Sequence, residues 1–168
     1  MLIQKKTGNI IGHAAGNKII DSVSIEWHEA NKRIMHKKTT SGKEVILKFL
    51  NENQQLTEGD ILFENADTII VVEILPCDAI IVKPKTVLEI ASICYEIGNK
   101  HLPMFYLNDE LLIAFELPLY NLLTQTGYDV QRGDRKLIKP LKTTVQAHAA
   151  LSSDFLFSAN TQHTNNIT

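Results

Sequence analysis

Imidazole is the side chain that suits nickel, copper and zinc alike, and this sequence holds six histidines: His13, His28, His36, His101, His148 and His163. Only two cysteines accompany them, Cys77 and Cys94. There is no H-E-x-x-H, no C-x-x-C, no G-x-S-x-G and no glycine-rich phosphate loop. Neither a closed metal cage nor a nucleophile–base pairing is visible, so the reading is a protein that is not an enzyme. His13, His28 and His36 fall in or beside strand-like stretches at unrelated spacings and read as surface histidines. His101 differs, because it follows directly on a helix stop and opens the loop into a strand. Such a position holds a side chain on rigid flanks and leaves it accessible. From spacing alone, a partly buried loop histidine is still the commoner reading than a metal ligand. Cys94 stands on an apolar helix stripe and reads as a small buried hydrophobe. Cys77 lies in a Pro-Cys-Asp turn.

The elements that must position these residues divide into two sets. Ser22 to Trp27 alternates apolar and polar, with Val23, Ile25 and Trp27 on one side. Arg33 to Lys38 and Lys43 to Leu50 read as a hairpin closed by Thr39-Thr40-Ser41-Gly42. Glu58-Gly59-Asp60 is a turn before Ile61-Leu62-Phe63. Thr68 to Leu75 is β-branched and nearly unbroken, as in a strand buried on both faces or crossing between domains. These short strands predict a small β-sandwich or barrel over residues 1–73.

From Pro76 the pattern changes. Ala79 to Val82 reads as a strand. Thr86 to Asn99 is a helix opened by a Thr86/Glu89 capping box and closed by Gly98 or Asn99. Its expected inward stripe is Val87, Ile90, Ala91, Cys94 and Ile97. Met104 to Leu107 and Glu110 to Glu116 flank a tight turn at Asn108-Asp109. Pro118 starts a shorter helix to a Gly127 stop, and Tyr128 to Val130 is the last strand. The order over residues 76–148 is that of a ferredoxin-like βαββαβ unit, which makes the fold class α+β. Residues 149–168 read as a flexible tail, rich in Ser, Thr and Asn. Phe155, Leu156 and Phe157 are out of character there and could dock on the body or on a partner.

Composition narrows the function classes. The chain has 168 residues, 17 Lys+Arg and 19 Asp+Glu, a formal charge of −2. That is not the basic balance of a dedicated nucleic-acid binder. No apolar run approaches the roughly 18 residues that suggest a membrane span, and residues 1–20 lack a signal-peptide core. Two cysteines make a disulfide framework unlike this chain, so a reducing, cytoplasmic location is expected.

The string Cys94-Tyr95-Glu96-Ile97-Gly98-Asn99-Lys100-His101 resembles the signature of the UreE family of urease accessory proteins, nickel metallochaperones that carry a G-N-[RK]-H segment after the first helix of their C-terminal domain. Val23 to Arg33 is similar to the family's W-x-x-x-x-K-R stretch, and Leu56 to Phe63 to its glycine-aspartate turn. With the matching domain order, the resemblance covers residues 1–148. It implies a homodimer that binds Ni²⁺ through His101 of both subunits on the twofold axis and delivers it to apo-urease. The partners so implied are the other urease accessory proteins, including the GTPase of the activation complex, with no membrane and no nucleic acid. His148 falls where relatives with short tails place a C-terminal histidine and would be a mobile third ligand, while His163 has only its tail location in its favour. Zn²⁺ or Cu²⁺ would compete for the same imidazoles. The histidine-poor tail argues against bulk nickel storage. The hairpin Asn108-Asp109-Glu110-Leu111-Leu112 has no histidine, so a second internal site is not expected there.

Physics supports the transfer of that role. A twofold interface is isologous, so a single residue near the axis becomes a pair of ligands without any cluster in the sequence. A site with few ligands and open positions suits a carrier. Two readings stand beside it. A nucleic-acid-binding module shares the βαββαβ topology and could use the basic stretch Gln131–Lys142 with Phe105-Tyr106. A protein-interaction adaptor would use the β-rich half, with His101 incidental.

Overall fold

The computed structural model describes residues 1–50 and 55–141. His148, His163, the 149–168 tail and Phe155-Leu156-Phe157 lie outside them. In chain order the elements are strands β1 (Leu2–Ile3), β2 (Gly8–Asn9), β3 (Ile19–Ile25), β4 (Ile34–Lys38), β5 (Glu44–Lys48), β6 (Asp60–Glu64) and β7 (Thr68–Ile74). After these come β8 (Cys77–Val82), helix α1 (Val87–Asn99), β9 (Phe105–Leu107), β10 (Glu110–Ala114), helix α2 (Leu117–Gln125) and β11 (Val130–Arg135).

The first seven strands form two sheets, ordered β1-β5-β4 and β2-β6-β7-β3. One core lies between them, with Val23, Ile25, Leu47, Phe49, Ile70, Val72 and Ile74 all fully buried. The alternate residues Ile69 and Val71 turn to the other face, where Ile61, Ile10 and Ala15 cover them. The nearly unbroken apolar run from Thr68 is therefore a strand buried on both faces. The hairpin closes as expected, with Lys38 opposite Glu44 and Gly42 at φ +88°. Gly59 in the β6 entry turn has φ +76°, and a Cβ there would stand 2.8 Å from the Ile10 side chain. Both geometry and space demand glycine at that position.

Trp27 departs from the expected strand. The chain leaves β3 at Ile25 and enters a single 3-10 turn, Trp27–Glu29. Burial opposes ionisation of Glu29, but hydrogen bonds from Lys37, the Glu26 amide and Lys32 outweigh it and hold the carboxyl down at about 2. Alternation alone cannot register such a turn, because one turn after a strand costs a single phase slip. The depressed pKa has a stability consequence. Glu29 contributes stability that is fully present above its ordinary value of 4.5 and is lost as pH falls through about 2. At roughly 1.4 kcal/mol per pH unit, the contribution is of order 3 kcal/mol. Thermal unfolding scans between pH 6 and pH 2 are expected to show Glu29→Gln losing less stability on acidification than the natural chain.

The remaining strands form one antiparallel sheet, ordered β11-β8-β10-β9. With two helices packed on one face, this is the ferredoxin-like βαββαβ arrangement. Asn108 and Asp109 both have positive φ, +50° and +62°, which gives the two-residue hairpin turn whose twist matches its strands. Pro118 lies in the first turn of α2, whose N-cap Glu116 accepts a 2.8 Å hydrogen bond from the Leu119 amide. The last strand lies further along the chain than expected, at Val130–Arg135. It is an edge strand carrying charged, mostly exposed side chains, and so lacks the apolar signal of a buried strand. The opposite face of the sheet buries Ala79, Ile81, Phe105, Leu112 and Leu137 against Trp27. Trp27 meets Phe105 edge to face at 5.6 Å and also packs on the sandwich core, so it joins the two halves. Glu58 makes a second link, accepting from the Ile74 amide and from Lys136 at 2.9 Å. No helix among the described residues is long and apolar enough to cross a membrane.

Candidate metal centre

Helix α1 sets the position of His101. Thr86 caps it by accepting from the Glu89 amide at 3.1 Å, while the Glu89 carboxylate accepts from the Lys85 amide at 2.7 Å, one residue ahead of the expected box partner. The buried inner face is Ile93 and Ile97, with Cys94 half-buried beside them. Val87, Ile90 and Ala91, expected to point inward, are exposed instead. The helix is apolar nearly all round, so periodicity offers several stripes, and contact with the sheet selects one of them. What remains outside is an uncovered apolar face. Val87 is 82%, Leu88 76% and Tyr95 70% exposed.

The helix stop is also not where spacing put it. Gly98 and Asn99 stay helical, and the left-handed residue is His101 itself, at φ +55°. Its amide donates to the Gly98 carbonyl at 3.0 Å, and the Leu102 amide to the Ile97 carbonyl at 3.4 Å. These two bonds form a Schellman motif, with Leu102 and Ile97 in the same hydrophobic cluster. His101 therefore occupies the position that glycine usually takes, with its side chain exposed. Left-handed backbone at a non-glycine residue costs about 1–2 kcal/mol. His101→Gly is accordingly expected to be more stable than His101→Ala by about 1 kcal/mol in denaturant unfolding. Both variants lack the imidazole, so the difference reports the backbone alone.

Below His101 the chain continues through Pro103 to Met104, whose carbonyl accepts from the Leu141 amide at 2.8 Å. Pro140 bridges Phe105 on the same edge. The last described residues thus run beside the strand that follows His101.

The other sulfur and nitrogen donors lie apart. Cys94 Sγ sits 4.0 Å from Met104 Sδ, and burial pushes its thiol above the ordinary range. Burial and the nearby carboxylates Glu26, Asp78 and Asp134 do the same to Cys77. Neither is a ready thiolate at neutral pH. His13 contacts Glu64 at 3.1 Å, His28 meets the Trp27 ring at 5.5 Å, and His36 projects outward from β4; all three are exposed. Among the described residues of one chain, no three His, Cys, Asp or Glu side chains gather as a metal site.

Several of the features that suggested nucleic acid are engaged within the fold. Phe105 is buried, leaving only Tyr106 exposed of the aromatic pair. Arg132 pairs with Asp78, Arg135 with Glu110 and Lys136 with Glu58.

A β-sandwich joined to a ferredoxin-like layer, with an exposed histidine at the end of an uncovered apolar helix face, defines a two-part α+β protein. Its sequence matches the UreE urease accessory protein N-terminal domain over residues 3–75 and the UreE C-terminal domain over residues 77–152. Among curated relatives, the urease accessory protein UreE of Flavobacterium johnsoniae is 45% identical over 157 residues, covering 94% of this chain and 95% of the relative. UreE of Haemophilus influenzae is 36% identical, covering 88% and 82%. UreE of Acetivibrio thermocellus is 35% identical, covering 84% and 92%. The chain belongs to the UreE family of urease accessory proteins.

Proposed function

We propose that this protein is a non-catalytic nickel carrier that acts in urease maturation in the cytoplasm, taking up Ni²⁺ as a homodimer and passing it to apo-urease together with the accessory GTPase. The observation that carries this reading is His101, exposed and rigidly held at the end of a helix whose outer face is apolar and uncovered, in a chain of the UreE family. An apolar face of this kind marks an interaction site. Closing it against the same face of a second copy brings two His101 side chains toward one axis. Two neutral imidazoles and open positions make a site that an incoming acceptor ligand can enter before the donors leave.

His148 is the proposed third ligand. It lies seven residues beyond Leu141, whose backbone is paired with Met104. A seven-residue span reaches up to about 23–25 Å. Met104 is itself only three residues from His101, so the reach suffices. His163 remains the weakest candidate. We place the two functional units at residues 1–73 and 76–148, the second holding the metal ligands and the dimer face.

Delivery is tested with purified components. Apo-urease, its accessory GTPase and the nickel-loaded protein are mixed under a chelator that suppresses free Ni²⁺. Urea hydrolysis is expected to appear with the natural chain and to stay at background with His101→Ala. Equal activation by both would refute the carrier reading.

A further inference from the structure

A cavity of about 460 Å³ opens between the two halves, lined by apolar Ile11, Tyr106, Leu107 and Ile138 and by Lys136 and Lys139. That is the size of a small-molecule pocket, about 300–1,000 Å³. Its rim is uncovered, with Ile11 82%, Tyr106 47% and Leu107 37% exposed. Glu58 is matched by Lys136 at 2.9 Å, which leaves Lys139 as the cavity's second cation. Apolar walls with one surplus positive charge call for an apolar segment bearing one negative charge.

The chain carries one such segment. From Leu151 onward its only charged side chain is Asp154, directly before Phe155-Leu156-Phe157. These residues lie past residue 152, where the match to the UreE C-terminal domain ends. The described chain also stops beside the cavity: Ile138 and Lys139 are part of its wall, and Leu141 pairs with Met104 at the foot of β9. From Leu141 to Phe155 an extended chain spans up to about 46–50 Å, more than enough to turn back.

We propose that Asp154-Phe155-Leu156-Phe157 docks in cis in this inter-half cavity. Phe155 and Phe157, two residues apart on an extended backbone, point the same way into the apolar wall, and Asp154 pairs with Lys139. Tethering favours this occupant over an untethered one, because a segment on the same chain acts at an effective concentration that can reach the millimolar range. The docked segment would fix the far end of the stretch that contains His148. The inference does not depend on nickel, and its test uses none.

The full chain is labelled with ¹⁵N, and its backbone amide spectrum is compared with those of Phe155→Ser/Phe157→Ser and Lys139→Glu. The tail variant is expected to shift the amides of Ile11, Tyr106, Leu107 and Lys139, by an amount unchanged on dilution. Lys139→Glu is expected to shift the amides of residues 154–157 in turn. Shifts confined to the tail's own neighbours, or found on another surface, would overturn the proposal. Cavity shifts that fade on dilution would also overturn it, since they would mean that the tail of a second copy fills the site. Lys139 is outside the buried cores, and a dispersed amide spectrum of each variant shows directly that it is folded.

Discussion

His101→Ala is expected to abolish nickel binding, with a loss of at least about a hundredfold in affinity, or roughly 2.7 kcal/mol. In a twofold dimer the substitution deletes two ligands at once, because each copy supplies the same residue. The loss should be clean, since His101 is exposed and its removal leaves no cavity. His148→Ala should behave differently. As the proposed third ligand, His148 would add less than its contact alone wherever capture has to fix backbone, at about 1–2 kcal/mol per residue. Its loss should weaken binding only about tenfold, or 1.4 kcal/mol. Removal of Ser152–Thr168, with His163, should change nickel affinity little. Isothermal titration of the four proteins with Ni²⁺ checks the ranking. A truncation as damaging as His101→Ala would move the site to the tail.

The second large effect is expected from a place that touches no metal. Leu88→Asp combined with Tyr95→Asp charges the outer face of α1 and leaves Ile93 and Ile97, which hold the helix to the sheet, in place. Burial of a large apolar side chain contributes about 1.5–3 kcal/mol, and a symmetric interface counts each residue twice. The variant should therefore sediment as a folded monomer. Its nickel affinity should fall nearly as far as that of His101→Ala, although His101 is untouched. A folded monomer that binds nickel as tightly as the natural chain would separate the site from the twofold interface. Circular dichroism on the same samples confirms that the helix persists.

The fold was largely legible because its signals are local. The hairpin at Thr39–Gly42, the turn at Gly59, the Thr86 cap and the Asn108-Asp109 turn are each dictated by a few neighbouring residues. Periodicity failed where tertiary contact decides. On α1 it chooses Val87, Ile90 and Ala91 as inward, but the sheet takes Ile93 and Ile97 and leaves the others exposed. The helix stop failed for a related reason. Glycine and asparagine are the usual left-handed residues, yet Gly98 is helical and His101 takes the positive φ. A histidine thus ends the Schellman motif where glycine would be cheaper. Trp27 was placed on a strand because one 3-10 turn leaves no periodic trace, and the Glu58–Lys136 link joins residues too distant in sequence for any pattern to pair. The proposed metal site is legible only through resemblance, since no three His, Cys, Asp or Glu side chains gather among the described residues of one chain.

The central claim is that two chains share one ion through His101. Equilibrium dialysis against limiting Ni²⁺, with metal and protein quantified in the same sample and the mass fixed by sedimentation, tests it directly. The account predicts tight binding of one nickel per two chains, lost in His101→Ala. One tightly bound nickel per chain, retained in His101→Ala, would contradict it.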